Sequence, residues 1–182
     1  FGVDLDKKKL EKFKDIYTET SFSDDLNLSL VDASIDYIVI STPPETHYEI
    51  AKLCLENKKN ILVTKPLCLN AEDAKYLLKL GEANNCRILI DETFIFSDQV
   101  LELKKIIKNK KEFGELTFIN SNRVNLGLFQ QKTNVIWDLA PHDIAITSFI
   151  LGEYPKKVRS TAINPLSNKK LYESYANCEY YF

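Results

Sequence analysis

The 182-residue sequence predicts an α/β fold in two parts. Residues 1–96 should form a parallel sheet with crossover helices, and residues 97–182 part of an α+β domain with a mostly antiparallel sheet. Three observations predict this. Short β-rich apolar runs alternate with helical stretches before residue 97, the pattern of βαβ units. The connections between them are short, as compact α/β domains require. After Ser97 the β-rich stretches follow one another without a helix between each pair, which suits antiparallel pairing.

Taken in order, Phe1-Gly2-Val3 reads as the end of a strand. Asp6 is placed to cap a helix in which Leu10, Phe13 and Ile16/Tyr17 recur at helical spacing. Tyr37–Ile40 (Tyr-Ile-Val-Ile) is a continuous apolar run, expected to be a strand covered on both faces. A helix from about Glu45 to Lys58 follows, then a buried strand at Asn60–Val63. Asn70 should cap a helix ending near Gly81. Arg87–Ile90 is a further strand, and Ser97 should cap a helix reaching about Asn109. Beyond it come a β-rich stretch over Leu116–Val124, a polar loop, an apolar helix over Trp137–Leu151, and β-rich stretches near Lys157–Ala162 and Ser174–Phe182.

Composition narrows the function classes. With 24 basic and 26 acidic side chains, the net charge is −2. That balance leaves no footprint for nucleic acid. No apolar run approaches the ~20 residues that span a bilayer, and no secretory signal opens the chain, so a cytoplasmic protein without membrane partners is expected. Cys54, Cys68, Cys86 and Cys178 are widely spaced and read as reduced thiols, with no metal site. The chain contains no methionine. This absence, the start inside a strand and the end within another predict that residues are missing at both termini.

Right-handed crossovers place every loop at a strand's C-terminal end along one edge, where ligands of such sheets bind. Asp4 closes the first strand. An acidic residue there accepts hydrogen bonds from an adenosine ribose and repels a 2′-phosphate, or else serves the next helix as a cap. Ser41, Thr42 and Pro43, followed by His47, form a rigid turn after a buried strand, either a plain strand-to-helix connection or the lining of a cofactor path. Thr64 and Lys65 follow the next buried strand, and a lysine there costs desolvation unless it meets an anion or a substrate hydroxyl, or else it is an ordinary surface lysine at a strand end. Asp138 and His142 lie four apart on one helix and share a face. They suit proton transfer, or else a capping Asp138 and a core His142.

Together these residues resemble the glucose–fructose oxidoreductase / inositol dehydrogenase / MocA (Gfo/Idh/MocA) family. "DYIVISTPPETHYEIAKLCLENKKNILVTKPL" (36–67) is similar to its strand, Thr-Pro-x-x-x-His turn, helix and strand ending in Glu-Lys-Pro. "VIWDLAPHDIAITSFILGEYPKKV" (135–158) is similar to its Asp-x-x-x-His helix. "NRVNLGLFQ" (122–130) resembles members acting on nucleotide-linked amino sugars, such as UDP-N-acetylglucosamine 3-dehydrogenases. The resemblance implies a Rossmann-type NAD(P) domain with its first strand and Gly-rich loop missing, and a truncated substrate domain. It implies hydride transfer between nicotinamide and a secondary alcohol of a sugar or nucleotide-sugar, with NAD expected over NADP. Asp4, Ser41, Thr42, Pro43, His47, Thr64 and Lys65 would bind cofactor. Lys65 would contact the reacting hydroxyl, beside Asp138 and His142. A homo-oligomer through the second-domain sheet follows, while the fragment by itself is expected to be inactive. Two departures stand out: the motif glutamate is Thr64, and Phe94-Ile95-Phe96 occupies the place where many relatives carry arginine. The alternative is a non-catalytic member that binds dinucleotide or sugar.

Overall fold

The computed structural model describes residues 1–124, 133–164 and 172–182. Two compact units divide the chain at Ile90/Asp91, six residues before the expected boundary.

In the first unit, β1 (Gly2–Val3) pairs in parallel with β2 (Phe22–Ser23). Between them runs α1 (Lys7–Ile16), whose orphan N-terminal amides meet the Asp6 carboxylate, which accepts from Lys8 at 2.9 Å and Lys9 at 3.3 Å. Asp25 caps the short α2 (Leu26–Val31) in the same way. The larger sheet has the order β3 (Tyr37–Ile40), β4 (Asn60–Thr64), β5 (Ile88–Asp91). β3 and β4 are parallel, with Ile40 opposite Val63. They are joined through a 3₁₀ turn (Pro44–Thr46) and α3 (His47–Glu56); α4 (Ala71–Ala83) joins β4 to β5.

The core lies between this sheet and the two helices. Ile40, Ile61 and Val63 face Ala51, Cys54 and Leu55 of α3 and Leu77 of α4. Tyr37 and Val39 point the other way and are 55% and 65% exposed, so β3 is not covered on both faces as expected. The reason is topological. Successive right-handed crossovers that step the same way across a sheet put both helices on one side of it.

Gly81 corrects a second expectation, for it sits inside α4 rather than ending it. A Cβ there would lie 3.1 Å from Ile88 Cδ1 and 3.3 Å from the Cys86 carbonyl, so the residue allows close approach of helix and strand. The helix is ended instead by Asn84, and Asn85 takes the left-handed conformation at φ 56°. Lys59 is buried, with its ammonium donating to the carbonyls of Asp32 at 2.6 Å and Ile35 at 2.8 Å.

The second unit holds α5 (Asp98–Lys108), α6 (Lys110–Phe113), α7 (Val135–Leu151), and the antiparallel pair β6 (Lys157–Ile163) and β7 (Tyr175–Tyr181). Ser97 occupies the N-cap of α5, but its hydroxyl donates back to the Phe94 carbonyl at 2.8 Å and caps no helix amide. Residues 116–124 join no strand ladder among the described residues, contrary to expectation. β-propensity needs a neighbouring edge to become a strand. Among the described residues no helix is long and apolar enough to cross a membrane.

Candidate functional site

The parallel register of β3 and β4 brings Ser41–Pro43 and Thr64–Lys65 to the same edge of the first unit. Ser41, Thr42 and Pro43 are exposed there, while Thr64, Lys65 and Pro66 are half-buried. The turn is braced by Thr46, whose hydroxyl lies 2.7 Å from the Thr42 hydroxyl and donates to the Pro43 carbonyl at 2.7 Å. The Thr64 hydroxyl reaches the Ile40 carbonyl at 3.4 Å, a weak bond that ties the ends of the two strands. The Lys65–Pro66 peptide is cis. Asp4 follows β1; its carboxylate accepts from the Asp6 amide at 2.8 Å and lies 3.7 Å from the Lys9 ammonium. The capping of α1 itself falls to Asp6, which leaves Asp4 outside that role.

His47 departs from its expected place on the open edge. It is fully buried in the first turn of α3, with Nδ1 2.7 Å from the Pro66 carbonyl and Nε2 2.8 Å from the Thr42 carbonyl. Both nitrogens face carbonyls of the chain's own backbone.

In the second unit, Asn134 caps α7 by accepting from the Trp137 amide at 3.1 Å, so Asp138 is not the helix cap. His142 is half-buried. Its Nδ1 is 3.9 Å from a Glu92 carboxylate oxygen, and its ring meets Phe94 edge-on at 4.8 Å between centroids. The Arg123 guanidinium lies 4.9 Å over the same Phe94 ring. Arg123 is held there by Asp143, the residue after His142, through bonds of 2.9 and 3.2 Å, and Ser121 adds a third at 2.8 Å. Burial, followed by a side-chain hydrogen bond with Cys178, pushes the Tyr180 phenol above its ordinary range. By pattern Glu92 belongs only to the sheet edge; Arg123 and Asp143 fall within the quoted stretches 122–130 and 135–158, but nothing in those stretches singles out either residue. Most of the 122–130 stretch lies outside the described residues.

Residues 3–92 match the model of an oxidoreductase family with an NAD-binding Rossmann fold, GFO_IDH_MocA. Over this stretch the chain is a Gfo/Idh/MocA-family Rossmann domain. It is 28% identical over 144 residues to the inositol 2-dehydrogenase of Mycolicibacterium gilvum, covering 77% of this chain and 40% of that protein. It is 24% identical over 140 residues to the UDP-N-acetylglucosamine 3-dehydrogenase of Acidithiobacillus ferrooxidans, covering 75% and 42%. Among solved structures, an NAD-binding protein of Listeria innocua aligns with a TM-score of 0.74 at 19% identity, over 92% of this chain and 51% of that one. The chain thus spans about two fifths of the length of these curated relatives. The Rossmann-type parallel sheet and the antiparallel pair β6–β7 agree with the fold expected of the family.

Proposed function

We propose that the protein is an NAD(P)-dependent dehydrogenase of a secondary alcohol on a polyol, sugar or nucleotide-sugar. The observation that supports this most is the edge at which Lys65 follows β4 beside the exposed Ser41–Pro43 turn on β3. Carboxyl ends of parallel strands are where such sheets bind ligands. Ser41 and Thr42 offer hydroxyls at this edge, and Asp4, after β1 of the separate β1–β2 pair, offers a carboxylate; these are groups of the kind a dinucleotide binds. When bound, the nicotinamide supplies the hydride acceptor.

The chain's own residues handle the hydroxyl. The Lys65 ammonium stabilises the alkoxide as the proton leaves. His142 accepts that proton, and Asp138 orients the imidazole or a neighbouring substrate hydroxyl. Asp4, at the ribose, favours NAD by repelling a 2′-phosphate. A cytoplasmic homo-oligomer assembled through β6–β7 completes the proposal; the exposure of Val158, Ile163, Tyr175 and Tyr181 supports the assembly.

The test is reduction of NAD and NADP by the full-length protein with inositols, free sugars and UDP-N-acetylglucosamine. Lys65→Ala should lower kcat/KM by ~10²–10⁴-fold, the range for a positioned proton-transfer or charge-stabilising group. Full activity in both Lys65→Ala and His142→Ala would remove the catalytic assignment. A second reading, a binding protein without turnover, draws on Thr64, which leaves Lys65 without the motif's neighbouring carboxylate. Tight dinucleotide binding with no reduction across the panel would favour it.

A further inference from the structure

We propose that His47 is a positioning residue that couples the Ser41–Pro43 turn to the Lys65 loop. Its two ring nitrogens tie the carbonyls of Thr42 and Pro66 to the first turn of α3. The inference rests on the reading of Lys65 given above.

His47 is 0% exposed, among the most enclosed side chains of the unit. An apolar side chain of similar volume fills such a space without polar atoms to satisfy. What the imidazole adds is direction: one contact of 2.8 Å to the turn after β3 and one of 2.7 Å to the loop after β4. Both partners are carbonyl oxygens, so each ring nitrogen meets an acceptor of the main chain. The second carbonyl belongs to Pro66, one peptide from Lys65. The first belongs to Thr42, within the turn proposed to hold the cofactor. One buried ring thus fixes the spacing between two loops that no strand ladder joins beyond Ile40 and Val63. Spacing matters here, since a displacement of ~1 Å at a reacting group lowers rates by as much as ~10²-fold.

The two nitrogens allow the two tethers to be cut separately. Asparagine places an amide near Nδ1 and retains the bond to Pro66; glutamine places one near Nε2 and retains the bond to Thr42. Phenylalanine fills the space and retains neither. In the full-length protein, His47→Gln should lower kcat more than it raises the KM for dinucleotide, by a ratio of about tenfold, the weight of one hydrogen bond. His47→Asn should show the reverse split, and His47→Phe both defects. Amide exchange followed by mass spectrometry reads the same tethers without turnover. His47→Gln should speed exchange over residues 64–69 more than over 41–46, and His47→Asn the opposite. The same kinetic and exchange pattern in the Gln and Asn variants overturns the coupling, as does slow wild-type exchange in the Phe variant. If exchange splits as expected while the wild-type protein reduces no dinucleotide, the tether stands and the proposed activity falls.

Discussion

Replacing Asp143 by alanine should loosen the wall beside His142 by an amount the geometry sets. The Asp143 carboxylate receives two bonds from Arg123, at 2.9 and 3.2 Å, and one from Ser121 at 2.8 Å. Hydrogen bonds to charged groups contribute ~1.5–3 kcal/mol net. The Arg123 and Asp143 side chains are 27% and 21% exposed, so water recovers part of that loss. A destabilisation of about 2 kcal/mol follows for the cluster. With a urea m-value near ~2 kcal/mol/M, the midpoint should fall by about 1 M. Trp137, the sole tryptophan, lies in the first turn of α7 and reports unfolding of this unit by its fluorescence. A cycle with Arg123→Met should return a coupling of ~1–2 kcal/mol, because the two residues share one bonded network. A midpoint shift under ~0.25 M or a coupling within ~0.5 kcal/mol of zero would refute the reasoning.

Two further predictions concern the first unit. Leu77→Ala, at a fully buried position packing α4 on the sheet, should cost about 2–5 kcal/mol in urea unfolding; a loss below ~1 kcal/mol would mean that the site collapses around the cavity. Burial pushes the Cys54 and Cys68 thiols from 9.0 up to about 11. A raised folded pKa favours the neutral thiol, so its stability is fully present below pH 9.0 and lost as pH climbs through about 11. Urea midpoints should decline across that window and the two thiols should resist alkylation at neutral pH until the unit unfolds; equal rates in native and unfolded protein would count against it.

The open edge of the first unit is legible in the sequence because its signals are local. Apolar runs end at Ile40 and Val63, and polar residues follow at once, so Ser41 and Lys65 mark strand ends by pattern alone. The caps at Asp6 and Asn70 are legible for the same reason, since each bonds amides two or three residues away. Contacts across longer separations leave no such mark. Arg123 and Asp143 are 20 residues apart, and neither lies in a periodic pattern that names its partner. The one-sided covering of β3 escapes the pattern because an apolar run states how much apolar surface a strand carries, while the direction of the crossovers decides which face receives helices.

His47 shows where residue-by-residue reading reaches its limit. A place at the end of a strand-to-helix turn, close to Thr42 and Pro43, is as consistent with a ligand contact as with a tether. What separates the two is the backbone oxygen of Pro66, 19 residues on, which no side-chain motif encodes. Backbone carbonyls are the same at every position, so a sequence cannot flag which one a buried ring will meet. Pattern locates the loops that carry chemistry, whereas the groups holding those loops in register emerge from the path of the main chain. A histidine at a strand-to-helix turn therefore calls for both its nitrogens to be traced before it is assigned to a ligand.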